Sequence, residues 1–126
     1  MSRGFAMRTK LMTLAAENGF SHAAPVDMNA LTPRREVREM CRADRCGQWN
    51  ANWACPPGCG TLEDAAAAMG RFDAGVLVQT TGALADDFDY EEMKAIQRRH
   101  KRAFADFARQ ARRLLPDCLP LSAGAC

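Results

Sequence analysis

The sequence predicts an α/β fold: a small sheet of about three strands packed with helices, and interrupted by a long Cys-rich loop. Three observations carry that prediction. Segments with apolar residues three and four apart alternate with short apolar or β-branched runs, the order expected of a layered α/β domain. Residues 43–60 break the pattern, with no periodicity and a concentration of Gly, Pro, Asn, Trp and Cys. The chain has 126 residues, which suits a single domain over 1–126 with one core.

Taken in order, Met7, Leu11, Leu14 and Ala15 stand at helical spacing, and Asn18-Gly19 reads as a helix stop. Residues 20–26 follow as a short buried strand weakened by Pro25. Thr32-Pro33 reads as an N-cap with proline in the first helical position, opening a helix over 34–40 that delivers Cys41 at its end. After the loop, Thr61-Leu62-Glu63-Asp64 reads as a capping box with Asp in place of Glu. It opens an Ala-rich helix to Met69 with Gly70 as C-cap. Residues 75–80 are the clearest strand, a β-branched run expected to be buried on both faces. Asp86, Asp87 and Asp89 lead into the longest helix, whose apolar face carries Met93, Ile96, His100, Phe104, Phe107, Ala111 and Leu114. Pro116 stops it, and residues 119–123 read as a third strand.

Composition narrows the function classes. A net charge of +2 is too small to imply a nucleic-acid or membrane partner. Residues 1–8 lack the apolar stretch of a signal peptide, and no apolar run approaches the ~18 residues that span a bilayer. The expectation is a cytoplasmic protein. There, six cysteines point to metal or redox chemistry more than to structural disulfides. The basic residues of the last helix, Lys94 to Arg113, lack interleaved exposed aromatics and read as a solvated outer face. No Gly-rich phosphate loop and no acid–base constellation is present.

Cys41, Cys46, Cys55 and Cys59 are the candidate site. Their spacings are C-x4-C, x8 and C-x3-C. Both pairs fall within the range of zinc knuckles, and neither fits a simple ferredoxin run. A segment with so little regular backbone needs something to hold it, and four thiolates converging on a metal ion or cluster would do so. Cys55 precedes Pro56-Pro57, and a Cys-Pro step also occurs in bacterial ferredoxin motifs. Cys59 stands just before a helix N-terminus, whose positive end favours thiolates. Trp49 and Trp53 read as packing under the loop or a shield for a cluster, and Arg42 and Arg45 as solvated charges. Cys118 reads as a plain buried thiol, and His22 and His100 as core histidines.

Several elements together resemble the DUF2284 family, described as predicted metal-binding proteins. They are Gly19-Phe20-Ser21-His22-Ala23-Ala24-Pro25, Val37-Arg38-Glu39-Met40-Cys41, Cys46-Gly47, Trp53-Ala54-Cys55-Pro56-Pro57-Gly58-Cys59-Gly60-Thr61, Val78-Gln79-Thr80 and Ser122-Ala123-Gly124-Ala125-Cys126. The resemblance covers nearly the whole chain and implies that Cys41, Cys46, Cys55 and Cys59 form one ligand set. It also implies that members continue past the Gly124-Ala125-Cys126 step into a ferredoxin-like cysteine run, and the expectation is therefore an N-terminal portion of that longer architecture or a shortened member. The expected cofactor is an iron–sulfur cluster of the 4Fe-4S type serving electron transfer with a redox partner protein, or structure. The alternatives are a structural zinc ion and a thiol-based redox enzyme using Cys55 or Cys59 as nucleophile.

Overall fold

The structure, a computed structural model, describes residues 3–122. Its elements are α1 (Arg3–Glu17), β1 (His22–Val26), a 3-10 turn (Met28–Ala30), α2 (Arg35–Arg42), α3 (Leu62–Gly70), β2 (Gly75–Gln79) and α4 (Tyr90–Leu114). The described chain forms two compact units, one made of residues 3–26 and 74–122, the other of residues 27–73. No helix among the described residues is long and apolar enough to cross a membrane.

The first unit holds the core. Ala15 is fully buried, Phe20 and Phe107 nearly so, and Leu11, Leu14, Ala23, Val78, Ala103 and Phe104 pack against them. The end of α1 places Phe20 in this cluster. Gly19 adopts φ +84, a left-handed conformation open to glycine at little cost. The Gly19 amide then donates to the Ala16 carbonyl at 3.1 Å and the Phe20 amide to the Ala15 carbonyl at 3.4 Å. These are the two bonds of a Schellman stop, and the apolar pair that accompanies such a stop is Ala15 and Phe20 themselves. The Phe20 and Phe107 rings then meet edge to face at 5.5 Å. Asn18 Nδ2 donates to Gln110 Oε1 at 3.1 Å, a second link from α1 to α4.

Among the described residues the sheet has two strands rather than three. β1 and β2 run antiparallel, with Ala24 opposite Leu77 and Pro25 opposite Val76. Residues 119–122 of the expected third strand are irregular, and Ala123 lies outside the described residues. Pro120 removes a ladder donor from a run too short to spare one. With both strands at an edge, Pro25 is tolerated in β1. The expected burial of these strands also needs correction. Val76 and Val78 are half-buried, whereas Leu77 between them is 63% exposed. A two-stranded sheet covered on one face alternates in this way. His22, expected in the core, is exposed on β1 for the same reason. His100 does behave as a core histidine, half-buried with Nδ1 2.6 Å from Thr80 Oγ1 and its ring edge to face with Phe20.

α4 starts where its acids predict. Asp89 Oδ1 accepts from the Glu92 amide at 3.3 Å, Asp89 Oδ2 from the Ala85 amide at 3.0 Å, and Asp86 Oδ1 from the Phe88 amide at 2.8 Å. Arg112 and Arg113 occupy its last turn, where the dipole favours cations.

The second unit has helices but no fully buried residue anywhere in 27–73. α2 begins later than expected. Arg34 is its N-cap, extended at φ −119 and ψ 136 and without a side-chain cap, while Thr32 and Pro33 stay outside the helix. The helix instead starts where Glu36 in its first turn meets the positive dipole end. Cys41 therefore lies within α2, one residue before its end. Gly70 also departs from expectation. It closes α3 from inside, and the cap is Arg71 in a right-handed conformation that makes no demand on glycine.

Phe107→Ala should cost about 3 kcal/mol of stability, read from the urea unfolding midpoint. Leu77→Thr, on the open sheet face, should change it by no more than about 0.5 kcal/mol.

Candidate metal centre

Residues 43–61 run through successive turns without helix or strand, and local hydrogen bonds set their path. The Cys41 carbonyl accepts from the Asp44 amide at 3.0 Å, and the Asp44 carbonyl from the Gly47 amide at 3.2 Å. Half-buried Cys41 thus starts one turn and exposed Cys46 sits in the next. Asp44 itself is left-handed, at φ 56, a conformation that Asp tolerates better than most residues. Its carboxylate accepts from the Trp49 amide at 3.0 Å.

The second pair is held more tightly. The Asn50 amide donates to the Pro56 carbonyl at 2.9 Å, closing residues 50–56 into a loop. Within it Asn52 Oδ1 accepts from the Ala54 amide at 2.8 Å, an Asx turn. The Cys59 amide donates to the Cys55 carbonyl at 3.1 Å, which puts both thiols on a single turn. Gly58 lies between them, and a Cβ there would stand 2.6 Å from the Asn52 carbonyl oxygen. Any side chain at 58 would push the two turns apart.

Past Cys59 the chain enters α3 through the expected capping box. Thr61 Oγ1 accepts from the Asp64 amide at 3.0 Å, and Asp64 Oδ2 from the Thr61 amide at 3.1 Å. The Thr61 amide and hydroxyl hold the Asp64 carboxyl below its ordinary value. The Glu63 carboxyl is lowered first by its own backbone amide and then by Arg35, whose guanidinium lies 2.9 Å away. Arg38 on α2 donates to the Gly60 carbonyl at 2.8 Å, tying the helix that carries Cys41 to the residue after Cys59. Sequence reasoning missed this role. The available signal is that Arg38 stands three residues before Cys41 and so shares its helix face.

All four candidate cysteines are free thiols in one unit, Cys41 and Cys55 half-buried and Cys46 and Cys59 exposed. Cys55 and Cys59 share a turn, whereas Cys41 and Cys46 occupy successive turns. Among the described residues, no three His, Cys, Asp or Glu side chains are drawn together as a set that could hold a metal ion. The donors fit zinc or an iron–sulfur cluster in type, since soft thiolates suit both. They do not yet converge. With no side chain of 27–73 locked in a core, drawing them together displaces turns rather than packing.

The remaining candidates separate clearly. Trp53 is 88% exposed and neither packs under the loop nor shields a thiol, because hydrogen bonds rather than packing close residues 50–56. Trp49 is half-buried beneath the Arg42 guanidinium, 5.9 Å above its ring. Cys118 is free and half-buried in the first unit. Cys126 lies outside the described residues.

A family model described as DUF2284, predicted metal-binding protein, matches residues 24–126. No curated protein and no solved structure matches the chain.

Two outcomes test the geometry of the loop's exit. Thr61→Ala should lower stability by about 1 kcal/mol, read from urea unfolding at neutral pH. Because the Asp64 carboxyl is lowered on folding, its contribution is present above the ordinary carboxylate value of ~3.9 and is lost as pH falls through the lowered one. Helical circular dichroism should therefore decline below about pH 4 in the parent, and less in Thr61→Ala.

Proposed function

The chain belongs to the DUF2284 family of predicted metal-binding proteins, and on that footing we propose that Cys41, Cys46, Cys55 and Cys59 together hold its metal. One observation carries the reading. Residues 27–73 contain helices and a long ordered loop yet bury no side chain fully. A segment of that size without a core normally depends on disulfides or a structural metal. Its cysteines are free thiols, which leaves them available as ligands. Metal binding then contributes folding energy directly, by closing a loop that local hydrogen bonds otherwise shape.

The preferred occupant is a 4Fe-4S cluster held by the four thiolates. One feature supports it over a lone ion, the Cys-Pro step at Cys55, while the positive end of α3 beyond Cys59 favours thiolates whichever occupant they hold. When bound, such a cluster supplies one-electron chemistry for exchange with a redox partner protein in the cytoplasm. The residues of this chain have simpler tasks. The Cys55–Cys59 turn presents two ligands at once, Gly58 lets that turn close, and Arg38 holds α2 and its Cys41 against the loop. Zinc is the second reading, favoured by the same lack of a core, since a structural zinc site staples such a loop without redox chemistry.

Protein made and purified without oxygen should carry about four iron and four acid-labile sulfide per chain and absorb broadly near ~400 nm. Cys41→Ser or Cys55→Ser should lose most of that metal, while Cys118→Ser keeps it. One zinc and no iron would select the structural reading. Full metal retention in both Cys41→Ser and Cys55→Ser would sink the four-ligand assignment.

A further inference from the structure

α4 divides into two faces with separate fates. The residues that face the core recur at three and four apart, from Ile96 through His100, Ala103, Phe104 and Phe107 to Ala111, and Phe107 and Ala111 are buried. On the opposite side, Arg98, Arg102, Arg109 and Arg113 form one row, and Lys101, Ala105, Ala108 and Arg112 form the next. All six of these cationic side chains are exposed. The rows extend over roughly 20 Å of helix.

Salt bridges do not account for this charge. Arg109 pairs with Asp106 at 2.7 Å, and Arg99, on the flank, lies 3.8 Å from Glu92. Among the described residues Arg98, Lys101, Arg102, Arg112 and Arg113 pair with no carboxylate. Five like charges along one helix face repel one another, and a solvated face laced with alternating signs would relieve that cost. On this face that relief is confined to the Asp106–Arg109 pair. Its middle is also shaped, since Phe104, Ala105 and Ala108 floor a shallow groove walled by Arg109, Arg112 and Arg113.

We propose that the outer face of α4 binds the phosphate backbone of a nucleic acid. The cations form two clusters, Arg98, Lys101 and Arg102, then Arg109, Arg112 and Arg113, and within each the positions three and four apart have Cβ atoms about 5–6 Å from one another, so that their side chains reach neighbouring phosphates of a strand. Arginine, five of the six cations, offers the planar fork that phosphate oxygens accept. The one aromatic at this groove, Phe104, is half-buried and packed against the core, so contact is with backbone and not with stacked bases. An acidic protein is a poorer fit, because the apolar floor of Phe104, Ala105 and Ala108 is shallow and narrow, whereas protein interfaces rely on a large desolvated apolar or aromatic centre. A membrane surface is poorer still, because an interfacial helix must insert its apolar face and that face of α4 is occupied by the core. This surface is independent of the cysteine site, and metal content does not enter its test.

The test uses fluorescence anisotropy of the full chain with a labelled RNA duplex and a DNA duplex of the same sequence, over a salt series. If all five unpaired cations engage a duplex, log Kobs should fall against log salt with a slope of about −4 to −5. The triple variant Arg98→Gln, Arg102→Gln, Arg112→Gln should reduce the slope by about three and weaken low-salt binding at least tenfold. Arg45→Gln, outside this face, should change neither. A ratio near one between RNA and DNA fits a shared phosphate contact, and a preference for RNA assigns the 2′-hydroxyl as a further one. The proposal falls if the parent binds neither duplex at low salt, or shows no salt slope, results that need no variant. It falls equally if the triple variant, with unfolding unchanged, binds like the parent. Competition by polyglutamate as effective as by RNA at equal charge would transfer the surface to an acidic protein. Binding to phosphatidylserine vesicles in preference to either duplex would transfer it to a membrane.

Discussion

A loop with three of the four candidate cysteines and no buried side chain takes its shape almost wholly from its own hydrogen bonds, and the candidate site depends on that constraint. The bonds are local. Asp44 to Gly47, Asn50 to Pro56 and Cys55 to Cys59 each close a few residues, and each adds on the order of 1 kcal/mol in solvent. Such bonds order neighbours without fixing distant parts of the loop. The Cys55–Cys59 turn is therefore formed, while the four thiols are not yet gathered.

What bounds the loop is firmer than the loop. On one side α2 ends with Cys41 inside its last turn; on the other, the Thr61–Asp64 box starts α3 two residues after Cys59. Arg38 joins the two sides through the Gly60 carbonyl, and Arg35 and Glu63 join them again at the surface. An exposed ion pair contributes little, so the Arg38 bond is the more consequential link. The ends of the cysteine segment are in this way brought close before any ligand acts on its middle, which lowers the loop entropy that ligand binding must offset.

The other unit solves the opposite problem. There Ala15, Phe20 and Phe107 meet in one cluster, and the Schellman stop at Gly19 is what delivers Phe20 to it. Two strands suffice because α1 and α4 cover one face of the sheet, at the cost of leaving Leu77 in water. α4 commits its apolar side to this core, and its basic side faces away from it.

Features set by neighbours in sequence were legible from the residues alone. The capping box at Thr61, the Asp89 cap, the Asn18-Gly19 stop, the long amphipathic α4 and the cysteine spacing all rest on contacts within a few positions, where residue type and period decide the outcome. The tertiary structure decided the rest. A strand exists only if a partner is within reach, so residues 119–122 stayed irregular while residues 75–79 found β1. Burial depends on what covers a face, so Leu77, His22 and Trp53 are exposed although their side chains suit an interior. Arg38 had no sequence signature beyond its helix position, because its acceptor lies 22 residues away. The sequence determined which thiols stand near one another along the chain. Whether they meet in space is a long-range property, and it rests on forces that no run of neighbouring residues contains.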